Sequence, residues 1–319
     1  MKNQRVLIKI CQMYYEENLS QKEISQQLGI SRPQVSRMLT TARENNIVSI
    51  KINNPYLDET VLERKLMSAY KLTDALVLNT AGVDEGGRLE EFGRMAAEHL
   101  ENYIADGDTV GVMSGQTVSH LVRGIRHFPR RRLKIVPLVG GLGSRNFDWH
   151  ANSIARTFAE HSGGSCYTLN APAVMQNEEA RALLVGEPDI ASVLKLGASC
   201  GVTIVGIGQV SNNATNVVAG GLSSRDISTL RKTGAVGSIC TSYLNRKGEI
   251  VQGEISRRLI GQTLEDISRS KTIAVAIGGS KVEAIKASLL SGYVDVFITN
   301  LETAHNIFYQ NDESKEEVQ

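Results

Sequence analysis

Two groups of residues in this 319-residue chain have the types and spacing to do chemistry. The first lies near the N-terminus, where Ser31, Arg32, Gln34, Ser36 and Arg37 share one predicted helix start. Arg makes paired hydrogen bonds to the edge of guanine and Gln to that of adenine, while Ser hydroxyls suit phosphate oxygens. The second group is three glycine-rich turns that follow apolar runs: Ser114-Gly115-Gln116-Thr117, Gly140-Gly141-Leu142-Gly143 and Gly278-Gly279-Ser280-Lys281. The first runs into Val118, Leu121, Val122 and Ile125 at i, i+3, i+4, i+7. That turn therefore sets unbonded backbone amides at a helix N-terminus, a position that attracts anions. None of the three is a Walker loop or a clean dinucleotide fingerprint. A glycine after a strand is, alone, only a tight turn, and Lys281 alone reads as a surface lysine. Together the three turns favour a phosphate-bearing ligand.

The first group needs a rigid head to present it. Val6, Ile10 and Met13/Tyr14 recur at helical spacing. Ser20-Gln21-Lys22-Glu23 has the form of a capping box, and Ser31-Arg32-Pro33-Gln34 repeats it with proline in the first turn. Between them Ile24 and Leu28 form an apolar i,i+4 pair, Gly29 supplies the C-cap, and Ile30 plugs the turn before Val35 and Leu39 resume the apolar face. Two short helices joined by a tight glycine turn are the helix-turn-helix layout, whose second helix offers its N-terminal residues to the major groove. Ile47–Ile52 alternates like a strand and suggests a wing, and Asn53-Asn54-Pro55 marks a boundary. The expected domains are therefore 1–54 for DNA binding and 55–319 for effector binding and oligomerisation. Val61, Leu62, Leu66 and Ala69 then give a helical stripe that fits either a linker helix between subunits or core packing within the chain.

The second group needs a parallel sheet. Ala75–Leu78, Thr109–Met113, Leu133–Val139, Val202–Gly206, Ile273–Ile277 and Val294–Thr299 read as short apolar strands, several separated by helical patterns. That alternation predicts an α/β fold with a buried, largely parallel sheet, whose ligands bind outside the carboxyl ends of the strands.

Charge is distributed unevenly. Residues 1–54 hold eight Lys/Arg and four Asp/Glu, net +4, whereas the remainder holds 27 and 30, net −3. A basic head on a near-neutral body fits a nucleic-acid partner. Cys11, Cys166, Cys200 and Cys240 form no CxxC or Cys/His cluster, so neither zinc nor a disulfide framework is expected, and they read as buried thiols. There is no apolar signal core and no apolar run of membrane-spanning length, so the expectation is a cytoplasmic protein with no membrane partner. The polar tail Asn311–Gln319 is expected to fray.

The sequence as a whole resembles the SorC family of sugar-responsive regulators, the deoxyribonucleoside-regulator type. The resemblance is carried by Leu19–Leu39, VPLVGGLG (136–143), TIVGIG (203–208), GAVGSIC (234–240), AVAIGGSKVEAIKASL (274–289) and VFITNLETA (296–304). It implies a winged-type helix-turn-helix plus a larger α/β effector domain similar to sugar-phosphate isomerases. It further implies a homo-oligomer, usually a tetramer, and a phosphorylated sugar or polyol as effector. By this resemblance Gly115, Gln116 and Thr117 occupy the phosphate-binding turn, Gly141 and Gly143 the second ligand turn, and Lys281 the place of an anion-binding lysine. His150 and Asn152 fall where the family has polar ligand contacts. Two departures stand out: Ser114 replaces a tryptophan common in the first turn, and Ser238 replaces an acidic residue that would bind sugar hydroxyls.

The implied function is a DNA-binding regulator of a carbohydrate-utilisation operon, without a cofactor or resident metal. The rival is a sugar-phosphate isomerase or deaminase carrying a DNA-binding head. Such an enzyme needs a general base beside the sugar C1–C2. The body offers His150, His161 and Glu254 in no spacing that announces a catalytic pair, and Ser238 removes a carboxylate. The expectation is therefore a sensor and not an enzyme.

Overall fold

The computed structural model describes residues 2–50, 53–143, 148–214, 217 and 221–309, and the chain divides into two compact units, Met1–Pro55 and Tyr56–Gln319. The expected fraying tail lies outside the described residues.

The first unit is three helices, α1 (Lys2–Tyr15), α2 (Gln21–Leu28) and α3 (Arg32–Glu44). They close over Ile10, Met13, Ile24, Val35, Leu39 and Ala42, all buried. The capping box at Ser20 forms in full: its hydroxyl accepts from the Glu23 amide and the Glu23 carboxylate accepts from the Ser20 amide at 2.8 Å. Gly29 ends α2 at φ 63°, and in the same turn the Ser25 hydroxyl donates to the Ile30 carbonyl at 2.6 Å. Ser31 differs from its expected role, since it makes no side-chain cap bond at the start of α3. The expected strand over 47–52 does not form among its described residues. Instead the Ile47 amide donates to Ala42 O at 2.8 Å, and Ile47 and Val48 fold back onto the helical core. Burial against the helices outcompetes pairing where those residues have no partner strand. Lys51 and Ile52 lie outside the described residues.

The second unit is built on seven parallel strands in the order β1-β11-β10-β5-β2-β3-β4. They are β1 (Asp74–Leu78), β2 (Thr109–Val112), β3 (Lys134–Pro137), β4 (Ser165–Cys166), β5 (Val202–Gly206), β10 (Lys271–Val275) and β11 (Val296–Asn300). Alternation sends Val110, Ile204, Ile273 and Ile298 to one face, and Val77, Val205, Ala274 and Phe297 to the other. The first face is covered by α5 (Arg88–Leu100), α6 (Gln116–Gly124) and α7 (Ala151–Ser162). Gly93 of α5 and Gly124 of α6 let these helices cross at backbone contact: a Cβ on Gly93 would lie 2.4 Å from the His120 carbonyl carbon. The second face is covered by α4 (Leu57–Tyr70), by two helices here numbered α11 (Val282–Leu290) and α12 (Leu301–Tyr309), and by part of a second sheet. Between them in sequence lie α8 (Glu178–Val185), α9 (Pro188–Ala198) and α10 (Ser224–Lys232). Within α4, Leu62 and Leu66 pack into the core, whereas Val61 and Ala69 face outward, so the predicted stripe divides between two faces.

The second sheet was not expected from the sequence. It is antiparallel, in the order β6 (Gly208–Gln209), β7 (Ala235–Ile239), β8 (Ser242–Asn245) and β9 (Ile250–Val251). Its hairpin turns on Cys240-Thr241, with Cys240 at φ 51°, where an Asn-Gly or Asp-Gly pair is the usual signal.

Strand order fixes where a ligand can enter. From β2 the chain steps outward to β3 and β4, then returns to lay β5 on the opposite side of β2 before moving on to β10 and β11. Connections leaving the carboxyl ends of β2 and β5 therefore diverge and open a crevice between them, the switch point at which parallel α/β sheets bind ligands.

Candidate effector site and nucleic-acid interface

A cavity of about 440 Å³ occupies that switch point. From the end of β2 come Met113, Ser114 and the start of α6; from the end of β5 come Gly206 to Gln209. The β7–β8 hairpin supplies Ser238, Cys240, Thr241 and Tyr243, and the turn after β10 supplies Lys281. Val139 and Leu142 after β3, together with Trp149, Val174 and Leu259, add apolar side chains to the lining.

The polar side chains around this cavity have unused hydrogen-bonding capacity. Ser114, Thr117, Ser238 and Tyr243 are all at most 9% exposed, and among the described residues none of their hydroxyls has a protein partner. These four residues line the cavity, and their hydroxyls remain available to bond a polar ligand. Lys281 is half-buried and is the single charged side chain among the described lining residues; no carboxylate pairs with it there. Burial pulls its ammonium below the usual lysine range. The same effect pushes the Tyr243 phenol up, aided by the negative charge of Asp226. Burial likewise raises the Cys240 thiol, which stays protonated.

The start of α6 adds backbone donors to the cavity. Gly115 is its N-cap at φ 147°, a left-handed conformation that side chains strain to adopt. A Cβ there would meet nothing within 4 Å, so the turn lies open. The Gly115 amide is already engaged with Trp149 O at 2.8 Å. The amides of Gln116, Thr117 and Val118 are the ones whose acceptors lie outside the helix, and they sit at the positive end of its dipole.

The predicted contact residues divide accordingly. Gly115, Gln116, Thr117 and Lys281 line the one cavity. Gly141, Gly143, His150 and Asn152 do not line it. The Gly141 amide and carbonyl are paired with Ala171 and Ala173 at 2.8 and 2.7 Å, Gly143 turns the chain at φ 67°, and the Asn152 carboxamide clamps Leu169 by accepting from its amide and donating to its carbonyl. His150 is the N-cap of α7, and burial pulls its imidazole below the usual histidine range, partly opposed by a bond to the Leu142 backbone. In the second turn and in the 150–152 segment, it is the neighbours Leu142 and Trp149 that reach the cavity. Trp149 was missed, although it is the only tryptophan of the chain and precedes the named His150. Tyr243 and Gln209 were missed because they sit on the unforeseen antiparallel sheet.

His161 lies elsewhere, with Nδ1 3.3 Å from Val122 O, and Glu254 does not line the cavity. Cysteine placement also differs from expectation: Cys11 and Cys200 are buried, Cys240 is partly so, and Cys166 is exposed. Among the described residues no cluster fit to hold a metal ion occurs, and no helix is long and apolar enough to cross a membrane.

In the first unit, Ser31, Arg32, Gln34, Ser36 and Arg37 are all exposed, while Val35 and Leu39 point inward. The amphipathic phase of α3 thus turns all five polar candidates outward together.

Residues 54–309 match the family described as "Putative sugar-binding domain", and residues 9–45 match "Sigma-70, region 4". The chain is 29% identical to the deoxyribonucleoside regulator of Bacillus subtilis, covering 94% of this chain and 96% of the relative. It is 27% identical to the sorbitol operon regulator of Klebsiella pneumoniae over 94% and 96% of the two chains. The full-length structure of that sorbitol operon regulator, SorC, superposes with a TM-score of 0.73, covering 96% of this chain and 99% of the other at 27% identity. A DeoR family transcriptional regulator from Listeria monocytogenes gives a TM-score of 0.73 at 30% identity, over 78% of this chain and 99% of that one. Fold, site and relatives define a transcription regulator with a helix-turn-helix head and a sugar-binding α/β body. The chain belongs to the SorC family, and its body to the sugar-binding domain family that spans residues 54–309.

Proposed function

We propose that this protein controls a carbohydrate-utilisation operon by binding operator DNA through the face Ser31, Arg32, Gln34, Ser36 and Arg37, under the control of a phosphorylated sugar or polyol. It works as a cytoplasmic homo-oligomer, a tetramer by analogy with its family. The observation that carries the effector reading is the pairing of Lys281 with the open helix start at Gln116–Val118 across one cavity. A phosphate dianion there gains charge-assisted hydrogen bonds from both. The hydroxyls of Ser238 and Tyr243 and the amide of Gln209 are left for the sugar hydroxyls.

The lining described here contains neither carboxylate nor imidazole. The described lining offers a bound sugar no carboxylate or imidazole with which to exchange a C–H proton, which supports a sensor over an isomerase. The relatives are named as regulators of sorbitol, deoxyribonucleoside and erythritol genes, and the same kind of role is proposed here.

Calorimetric titration with phosphorylated and free sugars tests the site. The phosphorylated forms are expected to bind and the free sugars to bind poorly. Lys281→Ala is expected to weaken the phosphorylated ligand by about 1.5–3 kcal/mol, the worth of a hydrogen bond to a charged group. Equal affinity for phosphorylated and free sugars overturns the phosphate site, and turnover of the ligand overturns the sensor.

A further inference from the structure

Trp149 lines the same cavity as the apolar residues Val139, Leu142, Val174 and Leu259, as the start of α6 and as Lys281. The position of Trp149 is fixed from several directions. Its carbonyl accepts from the Gly115 amide, the preceding Asp148 carbonyl accepts from the Ser119 hydroxyl at 3.1 Å, and the Asp148 carboxylate pairs with Arg123 at 3.3 Å. Its ring meets the ring of His150 edge-on, with centroids 4.8 Å apart at 79°. The backbone that presents the indole is thus tied to the same turn that would hold a phosphate.

The face of an indole in such a place offers a large, rigid apolar surface to a ligand. A sugar closed into a furanose or pyranose ring has a rigid face of C–H bonds that can lie flat on an aromatic surface. The open-chain polyol with the same number of carbons has no fixed face and must lose rotational freedom to make one. The lining also lacks a described carboxylate that would grip a run of hydroxyls along an extended chain.

We infer that Trp149 is the specificity-determining residue of the effector site and that it selects a cyclic sugar phosphate over an acyclic polyol phosphate. This inference rests on the phosphate-site reading above and narrows its ligand class. The indole reads the ring face, and the helix start with Lys281 reads the phosphate.

Matched pairs test it: ribose 5-phosphate against ribitol 5-phosphate, and glucose 6-phosphate against sorbitol 6-phosphate, with inorganic phosphate as the common reference. Each is titrated calorimetrically into the full-length protein, Trp149→Ala and Trp149→Phe. At least one ring form is expected to bind wild type about tenfold or more tighter than its open-chain partner. Trp149→Ala is expected to erase that difference and Trp149→Phe to keep most of it. All three proteins are expected to bind inorganic phosphate alike, which also shows that the variants are folded. The inference is overturned if the open-chain compounds bind as well as the rings, if the ring preference survives Trp149→Ala, or if no ring form exceeds inorganic phosphate. In each of those cases the phosphate site itself stands. Failure of inorganic phosphate and of all four compounds to bind overturns the phosphate site, and the inference with it.

Discussion

The backbone amide of Gly115 donates to the carbonyl of Trp149 at 2.8 Å, joining the first turn of α6 to the segment that begins α7. An anion settling on α6 therefore lands beside an amide already in use, and its donors are those of the next three residues. The φ of 147° that aims Gly115 at Trp149 is one that an L-residue adopts only under strain, of order 1–3 kcal/mol.

Gly115→Ala is expected to relax that turn away from its present geometry. Inorganic phosphate and sugar phosphates should then weaken together, because the change acts on the anion cradle they share. Calorimetry against both kinds of ligand checks this. A Gly115→Ala protein with wild-type affinity for both would show that the cradle does not depend on the strained turn.

The half-buried, unpaired ammonium of Lys281 gives a pH dependence of definite sign. Its folded-state value lies below that of a free lysine, because burial disfavours the charge. Between the two values the unfolded chain holds more protons than the folded one, so this group makes stability rise with pH through that window. Lys281→Met should abolish that contribution and should raise the melting temperature of the ligand-free protein at neutral pH. Melting curves of both proteins across neutral and alkaline pH measure it.

Ligand binding should follow the opposite slope. A bound phosphate favours the charged lysine, so affinity rises as the phosphate becomes a dianion and falls as Lys281 loses its proton at alkaline pH. Lys281→Met should lack the alkaline decline. Titrations of inorganic phosphate over this range distinguish the two proteins, and a shared alkaline decline would point to a different group.

Much of this arrangement was legible in the sequence. The six main strands and the head helices followed from apolar periodicity, the turn at Gly115–Thr117 from glycine chemistry beside a strand end, and the singling out of Lys281 from the family resemblance. Gly141 and Gly143 misled because a glycine run after a strand serves equally well for close packing. Here Gly140 lies under the 171–173 backbone, where a Cβ would sit 2.7 Å from three of its atoms. Asn152 misled because a carboxamide near a site can also brace a loop, as it does for Leu169. The antiparallel sheet was hidden because its strands are short and its turn, Cys240-Thr241, lacks the residues that normally announce a hairpin.

In the head, Ser25 and Ile30 bond reciprocally across the glycine turn, with the Ile30 amide also donating to Ser25 O at 3.2 Å. Ser25→Ala is expected to reduce the stability of this unit by about 1 kcal/mol. Ligand affinity of the body should be unaffected, so thermal unfolding and calorimetry of the same variant should separate. A loss of ligand affinity would show that the two units are coupled even in the absence of DNA.

Arg32→Ala and Arg37→Ala probe the exposed face of α3. A side chain that reads a base should lose about 1–3 kcal/mol on the selected operator and relax preference at one position. One that touches phosphate should weaken all sequences alike and flatten the salt dependence. If neither substitution changes binding to an operator selected from random duplexes, the reading face lies elsewhere.

The central claim is that occupancy of the cavity at the β2–β5 switch point governs DNA binding. Its most direct measurement is operator affinity by fluorescence anisotropy, with and without a saturating sugar phosphate, for wild type and Lys281→Ala. Wild type should show a ligand-induced change of about 5–150-fold, the usual range of coupling between two sites. Lys281→Ala should keep the ligand-free operator affinity and lose the response at the same ligand concentration. Wild-type operator affinity that stays constant while calorimetry shows the cavity filled would contradict it.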